Sequence, residues 1–306
     1  MPPLLTISQL HRRYGRVAAL RGIDLVIDKP GVYGFLGPNG AGKTTTIKIV
    51  SGLLRPTSGQ VAIGGVDVVA DPVRSRQHLG VMMESAAFYN HLSGRDNLRV
   101  LGRLTGNDNT SEIDRLLEQV GLSGKADQRV GGYSRGMRQR LSLAAALIGD
   151  PHLLILDEPA NGLDPSGIAD MRRWLVDFAA HDSHAVLLSS HQMGEVERIC
   201  DSVTIIDRGR IVADGPTDSI LRPKHTILIR TDRVEDARRT LEHRGDVAKV
   251  ETVDHRTLRL HADALRPAAV AQALAEQSID VSEISEERES LEEAFFRLVG
   301  ERRDVA

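Results

Sequence analysis

The stretch Gly37-Pro38-Asn39-Gly40-Ala41-Gly42-Lys43-Thr44-Thr45 constrains this chain more than any other. It fits the spacing Gly-x4-Gly-Lys-Ser/Thr. The apolar run Val32 to Leu36 precedes it as a short buried strand, and Thr45 to Val50 follows as a helix. Gly37, Gly40 and Gly42 open backbone conformations that side-chain-bearing residues avoid. The loop can therefore turn its N–H groups inward around an anion. The helix that opens here adds free N–H groups and the positive end of its dipole. A phosphate chain suits this arrangement, with Lys43 reaching the β- and γ-phosphates and the Thr44 hydroxyl holding Mg2+.

At 306 residues the chain has room for one large domain and a small one. Its net charge of −3 gives no basis for electrostatic capture of nucleic acid. The longest uncharged apolar stretch, near Leu141 to Gly149, is too short to span a membrane. Met1-Pro2-Pro3-Leu4 has neither the basic region nor the apolar core of a signal peptide. The single cysteine, Cys200, leaves no internal disulfide and fits a reducing compartment.

Leu4 to Leu10 and Ile23 to Asp28 read as strands, with Tyr14 in a polar turn between them. Gln60 to Ile63 and Val66 to Val69 read as a hairpin across Gly64-Gly65. Leu79 to Met83 reads as a strand ending at Glu84. Helices are expected over Ser93 to Leu104 and Ser111 to Val120, each opened by a serine cap. Gly131-Gly132-Tyr133-Ser134-Arg135-Gly136-Met137 then runs into a helix, a second glycine-rich loop at a helix start and a second candidate anion site. His152 to Asp157 lacks alternation, which predicts a strand buried on both faces of a parallel sheet. Asp157 and Glu158 would stand at its C-terminal edge, where open α/β sheets bind ligands. Asn161 to Pro165 reads as a turn, Ser166 to Ala180 as a helix and Ala185 to Ser189 as a strand, with His191 opening the next helix.

A boundary is expected between Pro216 and Pro223. Residues 222–306 carry all the net charge, with 15 basic and 18 acidic residues. They read as strand, helix, two strands, helix and a strand over Asp280 to Ile284, closed by an amphipathic helix from Ser290 to Val299.

The motifs in their order are more specific than any one of them. P-loop, Tyr-Ser-Arg-Gly-Met, Leu-Leu-Ile-Leu-Asp-Glu-Pro, Gly-Leu-Asp-Pro and Ser-Ser-His together resemble the ATP-binding cassette (ABC) ATPase family, over about residues 4 to 221. The resemblance implies an α/β P-loop NTPase domain: a mixed sheet core, an antiparallel β subdomain and a helical subdomain at about 85–150. A small C-terminal α/β domain, residues 222–306, would follow. It implies that ATP and Mg2+ bind at Gly37, Pro38, Asn39, Gly40, Ala41, Gly42, Lys43, Thr44 and Thr45. Tyr14 would stack on adenine, Asp157 would hold the metal, Glu158 would polarise the attacking water and His191 would contact the γ-phosphate. Asp164 would lie at a dimer interface. Ser134 and Gly136 would close the nucleotide site of a second copy, so one cassette per chain implies a head-to-tail dimer.

The chain departs from the family pattern in two places. Tyr133, Arg135 and Met137 replace the usual Leu, Gly and Gln of the signature loop. Glu84 stands where Gln is usual; it can accept from metal-bound water but cannot donate. The tail Ser290-Leu291-Glu292-Glu293-Ala294-Phe295-Phe296 is similar to that of ATPase subunits of ABC-2-type exporters of drugs, lipids or polysaccharides. The implied protein is an ATPase on the cytoplasmic face of the membrane, driving a separate permease that docks on Glu84 to Asn97, with Phe88 and Tyr89. The alternative, a soluble ABC ATPase acting on ribosomes or DNA, usually has two cassettes or basic insertions, and this chain has neither. A catalytically dead module would not retain Lys43, Asp157, Glu158 and His191 together.

Overall fold

The computed structural model describes residues 2–83, 87–107, 109–180, 184–261 and 266–301, the side chains of 223–225 and 301 excepted. The chain forms two compact units, one of Met1–Thr217 with the segment from Leu298, the other of Asp218–Arg297.

The first unit begins with β1 (Leu5–Tyr14) and β2 (Val17–Ile27), a long antiparallel hairpin. Then come β3 (Gly31–Leu36), α1 (Lys43–Val50), β4 (Ser58–Ile63), β5 (Val66–Asp67), α2 (Pro72–Ser75) and β6 (Leu79–Met82). Three helices follow: α3 (Gly94–Thr105), α4 (Thr110–Gln119) and α5 (Arg135–Ala146). The unit continues with β7 (Leu153–Asp157), α6 (Pro165–Ala179), β8 (Ala185–Ser190), α7 (Met193–Ile199), β9 (Ser202–Asp207) and β10 (Arg210–Pro216).

Two sheets result. One is antiparallel, in the order β2-β1-β4-β5. The other runs β10-β9-β3-β8-β7-β6, parallel from β9 to β6 with β10 added antiparallel at one edge. Every residue of β7 and β8 is buried, as the unalternating run at Leu153 to Asp157 predicts. Helix α1 supplies Ile47, Ile49 and Val50 to a core shared with Leu5, Leu10 and Ile23 of the hairpin and with Phe35, Ile155 and Leu187 of the parallel sheet. The P-loop helix is thus gripped between both sheets.

Several boundaries differ from expectation, each for a local reason. Tyr14 is not in a turn: it is the last residue of β1, paired with Val17, because the ladder continues through Arg12 and Arg13. Ser93 caps α3 as expected, but α4 is capped by Asn109, whose side-chain oxygen accepts from Ser111 N at 3.0 Å. Helix α1 opens at Lys43, two residues early, and His191 precedes α7, whose cap position is Gln192. Glu84 lies outside the described residues.

In the second unit α8 (Thr217–Ile220), from Asp218 on, leads to β11 (Pro223–Arg230), α9 (Val234–Glu242), β12 (Lys249–Thr252), β13 (Thr257–His261), α10 (Pro267–Glu276), β14 (Glu283–Arg288) and α11 (Leu291–Glu301) as far as Arg297. The sheet order β12-β13-β11-β14 makes a split β-α-β arrangement. Ile227, Ile229, Leu258 and Leu260 pack with Ala237, Leu241, Val270 and Leu274 of its helices. The last strand falls three residues beyond the expected start, because Ser282 to Arg288 carries the ladder to β11 while Asp280 accepts from the Thr231 hydroxyl.

Helix α5 lies hard against β6. A Cβ added at Gly80 would run into the Ala146 carbonyl and come within 2.9 Å of Leu154 Cδ1 and Pro151 Cγ. We expect Gly80→Ala to destabilise the protein by about 1–3 kcal/mol through overpacking, read as a lower denaturant midpoint. An unchanged midpoint would mean that α5 moves away freely.

Candidate functional site

The parallel register places three loops at one edge. β3, β8 and β7 are neighbours, with Leu36 opposite Ser190 and Asp157 opposite Ser189. Their C-terminal ends therefore open together, onto Gly37–Thr45, Asp157-Glu158 and Ser190-His191.

The P-loop is held from outside by close approach. A Cβ at Gly37 would overlap the Ile206 carbonyl, and one at Gly42 would lie 2.7 Å from Leu20 Cδ2. Gly42 also takes φ +118, so it needs glycine on both counts. The turn between β9 and β10 clamps the loop further: Gly209 N donates to Ala41 O and Arg21 N to Gly209 O, each at 2.8 Å. From the sequence, Val203 to Asp207 and Arg210 to Ala213 read as a hairpin across Arg208-Gly209, and nothing there marks this turn as a hold on the P-loop.

Helix α1 has no acidic residue in its first turn and no side-chain cap. Its first N–H groups are left for an anion. Lys43 is buried, and its Nζ donates to Gly37 O at 2.5 Å and Pro38 O at 3.4 Å. Burial lowers its pKa, against the opposing pull of Glu158 and Asp157. The Thr44 side chain is exposed. This donor set fits a phosphate chain with its cation.

Ser189 organises the carboxylates. Its hydroxyl donates to Asp157 Oδ1 at 2.6 Å, and its oxygen also accepts from Glu158 N at 3.1 Å. Asp157 is 2% exposed, so the hydroxyl supplies a hydrogen bond that water does not. Glu158 adopts φ +52, an uncommon conformation for a side-chain-bearing residue. The turn directs its Oε2 to His191 Nδ1 at 2.8 Å. In the sequence, the only signal for Ser189 is its place as the first Ser of Ser-Ser-His.

Tyr14 is 46% exposed, with the Arg12 guanidinium 4.7 Å from its ring centroid. Asp164 caps α6, accepting from Gly167 N at 3.1 Å. Ser134 caps α5, accepting from Met137 N at 3.2 Å. Among the described residues no hydrogen bond joins Ser134 or Gly136 to the Gly37–Thr45 loop. A Cβ at Gly136 would meet only ordinary contacts, Leu163 Cδ2 at 3.5 Å and Gly162 O at 3.9 Å. Arg135 is helical, so its place in the loop needs no glycine backbone. Tyr133 is anchored instead by its hydroxyl, which donates to Lys125 O at 2.7 Å. In the segment expected to meet a partner, Tyr89 is 55% exposed, and Asn97 pins its backbone at N and O (2.8 and 3.1 Å).

Removing the Ser189 hydroxyl leaves Asp157 buried without its donor. We expect Ser189→Ala to cost about 1–3 kcal/mol of stability in a denaturant melt. Nucleotide hydrolysis should fall about tenfold, equivalent to roughly 1.4 kcal/mol of barrier. Wild-type turnover would show that the Asp157–Glu158 turn holds without it.

The family model described as ABC transporter matches residues 20–161. A bacitracin transport ATP-binding protein of Bacillus licheniformis is 34% identical over 301 residues, 98% of each chain. A daunorubicin resistance ATP-binding protein of Streptomyces coeruleorubidus is 35% identical over 316 residues, 98% of this chain and 97% of that one. Among solved structures, the ATP-binding subunit of an ABC transporter matches with a TM-score of 0.66 at 31% identity, covering 71% of this chain and 91% of its own. Motifs, fold and near full-length relatives agree: this chain belongs to the ABC transporter family as an ATP-binding, ATP-hydrolysing subunit.

Proposed function

We propose that the chain powers the export of a drug, lipid or polysaccharide through a permease on a separate chain. One observation carries this reading: Lys43, Asp157 and the Glu158–His191 pair stand at one edge of the sheet. The near full-length similarity to bacitracin-transport and daunorubicin-resistance subunits supports the exporter class. Among the described residues no helix is long and apolar enough to cross a membrane, so the reading puts the translocation path on the partner.

In this reading ATP lies along Gly37, Pro38, Asn39, Gly40, Ala41, Gly42, Lys43, Thr44 and Thr45, with its base against Tyr14. Lys43 exchanges the Gly37 carbonyl for phosphate oxygens. Thr44, Asp157 and Glu84 would hold Mg2+, which would neutralise phosphate charge there. Glu158 orients the attacking water and accepts its proton, and His191 holds the Glu158 carboxylate and reaches the γ-phosphate. Ser134 and Gly136 serve the site of a second copy in a head-to-tail dimer, with Asp164 at that interface. Residues 1–221 make the ATPase domain and 222–306 an accessory domain, at the cytoplasmic face of the membrane. The segment 84–97, with Phe88 and Tyr89, takes the permease.

Two outcomes test the reading. Glu158→Gln binds ATP without splitting it, so it should elute as a dimer in ATP and a monomer without; a monomer in ATP counts against the composite site. Co-expressed with a permease encoded beside it, the chain should pellet with membranes. Recovery with ribosomes instead would favour the soluble alternative.

A further inference from the structure

Arg135 occupies a place where the family pattern has glycine, and its side chain has a defined target. A Cβ built on Gly162 would overlap Arg135 Nε and Cδ and lie 2.9 Å from Cζ. The Arg135 side chain therefore fills the space over Gly162, which takes φ +84. Two neighbours on the same helix face the same segment. Gly136 lies against Leu163, and Gln139 Nε2 donates to Pro159 O at 2.9 Å. Arg135 and Gln139 are four residues apart, hence on one face of α5.

The segment they grip hangs directly from Glu158. Asn161 N donates to Glu158 O at 3.1 Å and Leu163 N to Ala160 O at 3.2 Å, so 158–163 forms two consecutive turns. Displacing Gly162 therefore strains the turn that aims the Glu158 carboxylate. Arg135 and Gly162 are both exposed, and among the described residues no carboxylate pairs with Arg135, so what places its side chain over the turn is contact with Gly162 and not an ion pair.

We propose that Arg135 is a positioning residue: by covering Gly162 it locks the 158–163 turn to α5 and holds Glu158 in its working orientation. Ser134 and Gly136 flank Arg135. The lock thus ties the loop that meets the second copy's nucleotide to the chain's own hydrolytic carboxylate. That last link rests on the composite-site reading above; the lock itself does not.

The test compares shape with charge in the purified full chain. Arg135→Ala uncovers Gly162, and kcat for ATP should fall about tenfold. KM, nucleotide stoichiometry and melting temperature should hold, because the P-loop is untouched. Arg135→Met keeps an unbranched stem over Gly162 without the charge and should restore most of kcat. Gly162→Ala, whose Cβ displaces the side chain, should cost far less in the Arg135→Ala background than in the wild type. Wild-type kcat in Arg135→Ala, a Met variant as slow as Ala, or additive effects of Gly162→Ala would each overturn the proposal. If Arg135→Ala does not fold, Arg135→Met decides it: near wild-type kcat supports the lock, and a tenfold loss overturns it. A normal ATP dimer of Glu158→Gln beside any of the overturning results would sink the lock alone. Loss of that dimer would sink the composite site and leave the lock to its own kinetics.

Discussion

The site depends on register. β3, β8 and β7 run parallel and adjacent, so Leu36 and Ser190 end at one level and Asp157 one position before it, opposite Ser189. A slip of one residue would turn every side chain of a strand to the opposite face. Asp157 would leave the Ser189 hydroxyl, and Glu158 would lose its approach to His191. β7 and β8 are apolar along almost their whole length, and the polar residues come only at their ends. The buried stretch therefore fixes the register, and the polar ends inherit it. P-loop chemistry follows from the same constraint, since the loop starts where β3 leaves the sheet.

A second layer of restraint acts from the antiparallel sheet and its neighbours. Leu20 and Ala19 press on Gly42, Ile206 on Gly37, and Gly209 bonds to Ala41. None of these residues belongs to a nucleotide motif. They shape the cradle by leaving no room for anything larger than hydrogen at two α-carbons. This is preorganisation: the ordering cost of the loop is met on folding, not on binding.

Local chemistry was legible where the residue type alone dictates it. Gly37–Thr45 specified a strand, loop and helix, and the run at Leu153 to Asp157 specified a doubly buried strand; both stand in the structure. Long-range partners were not legible. Ser189 reaches Asp157 across 32 positions of sequence, and Gly209 reaches Ala41 across a sheet. Tyr14 reads as a turn residue because Arg12 and Arg13 beside it are polar, yet ladder pairing with β2 keeps all three in a strand. Asn109 competed with Ser111 for the cap of α4, and the earlier residue won because its oxygen reaches Ser111 N. From β11 to α11 the element order is legible in the sequence, but α8 is not, and the last strand starts later than local pattern suggests because ladder pairing with β11, not propensity, sets its start.

Lys43 donates to the carbonyls of Gly37 and Pro38, so the loop's own backbone holds the ammonium over the loop. Among the described residues no carboxylate pairs with this ammonium, so the backbone fixes where the charge sits without neutralising it. The fold thus uses two neutral carbonyls to aim a cation, and leaves its charge to act on whatever the loop amides and the helix start also face.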